Sequence, residues 1–504
     1  MAVMPPPTSS TQKSVLRPFT VGWFTRGQDL KPAPRYKRRM NFAERRKRFL
    51  AALDGPVLLM AGGLLSRNYP ANTFPYRADS TFLYFFERPE PGSAAFFDPA
   101  AGQVTLFLPE RTVADALWHG SMEPFDAVKA RQQVDAVLAV EQLEAHVATL
   151  SRGRKVRSLA VADWKATSRA KAITGEELDF DDATKVGQGA LLDVVAKLRL
   201  HKAEDELAEL RRLVPVTREA HVLAMTHSKP GVSEQFLAGL VEGAFARGGC
   251  TAAYGTILSV RGEVLHNHDH RNTLQQGDVV LLDAGAESLD TGYCNDVTRD
   301  WPVGGAFSPE GRDLYDLVLQ SEVDAIAAVK PGVRYRDLHL RACRVLAEGL
   351  VRMGLLVGDP DGLVQSGAHA VFFPHGLGHQ LGLDVHDLEA FGDRIHYPGG
   401  RTRSTQFGTQ YLRMDLDLVP GMVFTIEPGL YFVPAILRNP EFRERFKTQV
   451  KWDRAEQFLA MNGGRGFGGI RIEDDVVCTA TGVEVLTASI PKARAEIESL
   501  AGSA

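Results

Sequence analysis

At 504 residues the chain is long enough for about two or three domains, each with its own core. Apolar residues at 44% and charged residues at 24% exclude fibrous and wholly disordered classes, and 58 basic against 62 acidic residues, a net charge of −4, exclude a chain built as a polyanion binder. No apolar run approaches the ~18 residues of a membrane helix, Met1 opens no secretory leader, and Cys250, Cys294, Cys343 and Cys478 form no CxxC pair; the expectation is a cytoplasmic protein with buried thiols and neither nucleic-acid nor membrane partners.

Residues 1–40 stand apart. Prolines from Pro5 to Pro34 punctuate them, and basic residues between Lys13 and Arg39 outnumber the acid Asp29. They read as a solvated, partly disordered arm or as one that docks on a neighbouring subunit. From Asn41 to Leu53 the run NFAERRKRFLAAL has helical character and stops at Asp54-Gly55. Val57–Met60, Ala94–Asp98 and Val104–Leu108 follow as short strands between Gly/Pro turns, and Leu159–Val161 as a buried strand. Residues 186–227 are mainly helical and join two domains, 41–190 and 191–504; Pro215 should kink or break the helix there. Beyond Gly249 the chain alternates hairpin-like strands with two long amphipathic helices, which predicts an α+β domain with a mainly antiparallel sheet.

The chemistry lies in four segments of this second domain. In GDVVLLDAGAESLDTGYCNDVTRDWPV a buried strand ends at Asp283, and a return strand over Tyr293–Thr298 carries Asp296. Paired carboxylates on facing strands repel and need a shared cation or proton. PHGLGHQLGLDVHD places His375, His379 and His386 close together in a glycine-rich stretch without helical periodicity, the mark of a ligand or acid–base site. FTIEPGLYF and GGIRIEDDVV are strands in which alternation turns Glu427 and Glu473 inward, where an unpaired carboxylate costs several kcal/mol. Asp474 and Asp475 read as facing solvent or as backing those ligands. Four converging carboxylates require about four compensating positive charges, which two divalent ions supply; so many oxygen ligands suit Mn²⁺. Two close ions sharing a hydroxide make a dinuclear hydrolase.

These motifs resemble those of the pita-bread metallopeptidases, in the Xaa-Pro branch that holds proline dipeptidases (prolidases) and aminopeptidases P; the weaker segment PYRADSTFLYFFERPEPGSAAFFDP extends the likeness towards the N-terminus. The resemblance implies a creatinase-type N-terminal α/β domain over 41–190 and a pita-bread catalytic domain over 191–504. It implies two metal ions, Mn²⁺ first with Zn²⁺ or Co²⁺ as alternatives, held by Asp283, Asp296, His379, Glu427 and Glu473. Glu427 would also shuttle a proton, and His386 would hydrogen-bond the scissile carbonyl. His266 matches the histidine of the substrate loop, His375 and Tyr254 line the substrate side, and Arg471 stands behind the metal carboxylates. It further implies small peptides with proline in second position as substrates, and a homodimer. Asn267 departs from a tyrosine common in the family, and His268 and His270 add imidazoles to a polar loop at the cleft mouth.

A dipeptidase must recognise the carboxylate beside the proline ring, a task for a bidentate arginine. In TQYLRMDLDLVPGMVF the candidate is Arg413, and the segments 393–412 and 434–464 look prolidase-like, whereas PYRADSTFLYFF is similar to aminopeptidase P. The balance favours dipeptidase over aminopeptidase. A non-catalytic binding module and the metal-free creatinase are disfavoured because all five ligands are present, and methionine aminopeptidase lacks the large first domain.

Overall fold

The structure is a computed structural model that describes residues 40–181 and 189–502. The basic arm, but for Met40, lies outside the described residues. The first helix, Phe42–Ala52, starts where the Asn41 side chain accepts the Glu44 N–H at 3.2 Å. Its Phe49 packs against Phe85 and Phe97, which ties the helix to the sheet behind it. That sheet sets Ala136–Ala139, Gln103–Leu108, Ala94–Asp98, Val57–Met60 and Arg157–Ser158 side by side in this order. Inner pairings are antiparallel and the two outer ones parallel, as an α/β layer with helical crossovers requires.

The strand expected over Leu159–Val161 instead occupies Arg157–Ser158. Leu159 and Val161 are buried, but the Thr167 hydroxyl donates to the Val161 carbonyl at 2.8 Å and accepts its N–H at 3.0 Å. A side chain there replaces the ladder, so apolar burial alone overstates the strand.

Helices Gly189–Arg199 and Glu204–His227 lead into the second domain. The second of these passes through Pro215 without ending. Pro215 is exposed while Leu210, Leu213, Val214, Val216 and Ala220 are buried on the opposite side. The lost hydrogen bond therefore faces water, and the packed face carries the helix through.

The second domain is built from short antiparallel ladders. Ile257–Ser259, Val279–Asp283 and Thr298–Pro302 form one; Val423–Ile426, Asp474–Cys478 and Val483–Val485 form another. Single bridges, Thr298 to Glu473 and Gln380 to Phe424, stitch these pieces together. Helices Pro309–Ala327 and Tyr335–Arg352 coincide with the two long amphipathic runs. The segment 434–464 folds as three short helices, Pro434–Leu437, Pro440–Arg445 and Trp452–Gly464.

Replacing Pro215 with alanine restores an N–H to a helix already formed. The expected result is a gain of ~1–3 kcal/mol in unfolding free energy, read as a higher denaturant midpoint. A lowered midpoint would contradict the account of how the helix tolerates proline.

Candidate active site

Each expected ligand stands where a strand is interrupted, which turns its side chain out of the ladder and into a common interior. Asp283 closes its strand opposite Thr298. Asp296, expected inside the return strand, precedes it, since that strand runs Thr298–Pro302. The cause is local. Ala286–Ser288 leaves for a ladder with Cys250–Ala252, and the Asn295 carbonyl comes so near Gly285 that a Cβ there would collide with it. Only glycine permits that approach. Glu427 falls between Val423–Ile426 and Gly429–Tyr431, where Pro428 offers no N–H to continue pairing. Glu473 falls between Gly469–Arg471 and Asp474–Cys478, its own N–H donating to the Thr298 carbonyl at 3.2 Å. The His379 backbone exchanges hydrogen bonds with Thr425.

Ligand atoms of Asp296, His379 and Glu473 all lie within 4.8 Å of one another, a spacing suited to a metal ion. The His379 Nδ1 donates to the Gln380 carbonyl at 3.0 Å, so Nε2 keeps its lone pair, 3.3 Å from the Asp296 carboxylate and 3.8 Å from Glu427. Arg471, expected behind the carboxylates, reaches directly among them. Its guanidinium pairs with Asp283, lies 3.9 Å from Glu427 and donates to the Thr298 hydroxyl at 3.1 Å; that hydroxyl donates in turn to Glu473 at 2.6 Å. Tyr254, assigned from sequence to the substrate side, sets its hydroxyl against Asp283 and 2.5 Å from Asp296. The Tyr254 hydroxyl thus joins the two aspartates from one side of the cluster.

The electrostatics agree. Burial, then the neighbouring Asp283, pushes the Asp296 carboxyl up to about 8. Burial lifts Glu427 to about 7, against the opposing pull of His379 and Arg471. Glu473 is held well above the usual carboxylate range by burial and by Asp296. Asp283, Asp296, Glu427 and Glu473 thus share Arg471 as a fixed cation, and the donor set of carboxylate oxygens and one imidazole fits a hard or borderline divalent ion.

Behind the ligands, Asp474 and Asp475 are fully buried, which excludes the solvent-facing alternative. Asp475 accepts the Asp296 N–H at 3.2 Å and the Asn295 amide at 3.1 Å. Asp474 pairs with Arg299 at 2.7 Å and with Lys492 at 2.5 Å. Of the two readings the sequence leaves open for this Asp-Asp pair, the structure selects support of the ligands.

The remaining expected residues form the rim. His386 stacks near His379, with ring centroids 4.1 Å apart. Burial, then His379, lowers its pKa, and Glu389 opposes that shift from 2.5 Å at Nδ1. Glu389 also binds the Arg413 Nη1 at 2.5 Å. Glu389 is missing from the sequence reading; its only trace there is the three-residue spacing from His386. The loop bearing His386 is clamped from both domains. Ser80 donates to Asp384 at 2.5 Å, while Arg199 and Lys202 each hold Asp387 at 2.7 Å. His375 has Nδ1 2.8 Å from its neighbour's carbonyl and Nε2 2.8 Å from the Tyr431 hydroxyl, with Glu427 at 4.0 Å; burial lowers its pKa to about 3, so it lines the wall as a neutral ring. His266 is exposed, and its pKa is lowered by partial burial and then by the charge of Arg471.

Two outcomes follow from the excess of buried negative charge. A free site whose carboxyls titrate near 7 and 8 carries protons below those values, and a cation must displace them. Adding Mn²⁺ to metal-free protein at pH 7 should therefore release protons, and apparent affinity should climb from about pH 6 to about pH 8.5; affinity that is flat over this range would contradict the assignment. Glu473→Ala should lose bound metal by at least about tenfold in affinity, measured by equilibrium dialysis.

Comparison with known proteins places this geometry in a family. Residues 208–480 match the model of metallopeptidase family M24, and residues 42–159 match the aminopeptidase P N-terminal domain. The chain is 33% identical to the Xaa-Pro dipeptidase of Homo sapiens over 473 residues, 91% of either chain. It is 32% identical to the Xaa-Pro aminopeptidase of Escherichia coli over 474 residues, 92% of this chain and 97% of that one. Zn-substituted E. coli aminopeptidase P in complex with product superposes with a TM-score of 0.74 at 31% identity, covering 91% of this chain and 97% of that chain. The two-domain α+β architecture, an aminopeptidase P-type N-terminal domain ahead of a pita-bread catalytic domain, is that of these relatives. The chain belongs to metallopeptidase family M24.

Proposed function

We propose that this chain hydrolyses the peptide bond ahead of a proline in second position, as an Xaa-Pro dipeptidase, using two divalent ions with Mn²⁺ as the native choice. The reading is carried by one juxtaposition: a buried carboxylate–histidine cluster whose rim presents His386 and, bridged to it through Glu389, Arg413. Asp283, Asp296, His379, Glu427 and Glu473 are the proposed metal ligands. When bound, the ions would supply Lewis-acid charge and acidify a water.

The chain's own residues do the rest. Glu427, 16% exposed at the edge of the cluster with His379 3.8 Å away, is placed to take a proton and return it to the proline nitrogen. The His386 Nδ1 is engaged by Glu389, so Nε2 is the atom left to face the scissile carbonyl. His266 and the His375 wall bound the substrate pocket. Arg413 would bind the carboxylate of the departing proline, which a dipeptide presents and a longer peptide does not.

The aminopeptidase reading is supported by the match of the first domain to the aminopeptidase P N-terminal domain and by the likeness to E. coli aminopeptidase P. The folded insertion 434–464 and the similarity to the human dipeptidase weigh on the other side. We place the domain limits at 41–190 and 191–504, and we expect a cytoplasmic homodimer. Among the described residues no helix is long and apolar enough to cross a membrane.

Ala-Pro, Ala-Pro-Ala and Ala-Pro-amide separate the two readings. Wild type should cleave Ala-Pro fastest. Arg413→Ala should lose about thirty- to a hundred-fold in kcat/KM with Ala-Pro and little with the other two. Faster cleavage of the tripeptide by wild type, with an indifferent mutant, would assign the enzyme to the aminopeptidases.

A further inference from the structure

Most of the polar residues around the metal cluster are accounted for by the ligands they hold. Glu389 is not among these, because it touches none of the five ligands in the hydrogen-bond or ion-pair network and still bridges two rim residues. Its Oε2 lies 2.5 Å from the His386 Nδ1, and its Oε1 lies 2.5 Å from the Arg413 Nη1. The three side chains are only partly exposed, at 28% for Glu389, 34% for Arg413 and 36% for His386. This is a half-desolvated chain of charge-assisted hydrogen bonds, stronger and more directional than a surface pair.

The backbone is bent to make the contact. Leu388 adopts φ 64° and ψ 6°, a left-handed conformation that a leucine disfavours. It is kept there by burial against Ala196 and Ile395, and the Glu389 N–H then donates to the His386 carbonyl at 3.2 Å. The resulting tight turn aims the Glu389 carboxylate back at the ring three residues earlier. A carboxylate placed only for solubility would need no such turn.

We propose that Glu389 is a positioning residue that couples recognition of the substrate's C-terminal carboxylate at Arg413 to the orientation of His386 at the scissile carbonyl. One oxygen holds the imidazole so that Nε2 faces the substrate; the other holds one arm of the guanidinium and leaves its remaining N–H donors for the incoming carboxylate. Substrate bound at Arg413 is thereby registered, through a single rigid carboxylate, with the group that meets the carbonyl. The inference rests on the proposed carboxylate role of Arg413 for its specificity half, and on His386 alone for its catalytic half.

The test is a double-mutant cycle on the Mn²⁺-loaded full-length enzyme, with Glu389→Ala, Arg413→Ala and the double variant measured on Ala-Pro and Ala-Pro-amide. Glu389→Ala should lower kcat on both substrates by about tenfold or more, through His386, and should raise KM on Ala-Pro alone, through Arg413. In the Arg413→Ala background, removing Glu389 should still lower kcat but should no longer raise KM for Ala-Pro. Glu389→Gln, which keeps the shape and one acceptor oxygen, should fall between wild type and Glu389→Ala, and it carries the test if the alanine variant does not fold. An unchanged kcat on both substrates in the glutamine and alanine variants would overturn the coupling. So would KM effects of Glu389 and Arg413 that simply multiply in the double variant. Equal losses on Ala-Pro and Ala-Pro-amide in Arg413→Ala alone would instead overturn the dipeptidase reading and the specificity half together, while the kcat effect of Glu389 would still decide the catalytic half.

Discussion

Asp283, Asp296 and Glu473 are buried, with Glu427 beside them only 16% exposed; ligand atoms of Asp296 and Glu473 lie within 4.8 Å of each other, and Arg471 is the fixed cation of the group. Mutual repulsion at that distance, in a medium less polar than water, is worth several kcal/mol and rises as each group is buried. Nothing in the local conformational preference of these segments favours the arrangement. The fold must hold it together, and a bound charge must make it tolerable. The raised carboxyl affinities of Asp296 and Glu427 express the same strain as a demand for protons when no metal is there.

Much of the surrounding architecture is intelligible as support for that cluster. Short ladders joined by single bridges let the five proposed ligands arrive from separate segments, which one regular sheet could not do. Gly285 brings the two aspartate segments together. Asp475 fixes the backbone of Asp296, and Arg299 and Lys492 balance Asp474 behind it, the Lys492 amine being shared with Glu322 at 2.7 Å. The first domain contributes through Ser80 and Arg77, which hold Asp384 and so steady the loop that carries His386. It therefore helps to shape the active site.

The sequence discloses parts of this unevenly, for physical reasons. Helix Phe42–Ala52 and strands Val57–Met60 and Ala94–Asp98 are legible because caps, turns and apolar runs coincide at their ends. The five proposed ligands are legible because burying a carboxylate or an imidazole inside an apolar segment is costly unless it binds a cation or a proton. The strand over Leu159–Val161 is misplaced, since burial there is served by the Thr167 hydroxyl. Pro215 misleads because its cost depends on which side of the helix meets water. Asp296 is misjudged in setting, and Asp474 and Asp475 are left open between solvent and support, because register and burial at a broken strand are set by distant partners, among them Gly285, Arg299 and Lys492. Tyr254 and Glu389 are harder still: their roles exist only once three segments meet in space.

The claim on which the rest depends is that divalent cations balance this buried cluster of carboxylates. Metal content measured by elemental analysis, after loading with Mn²⁺ and exhaustive dialysis at about pH 8, addresses it directly. The account predicts about two ions retained per chain. A chain that keeps its fold and retains none would contradict it.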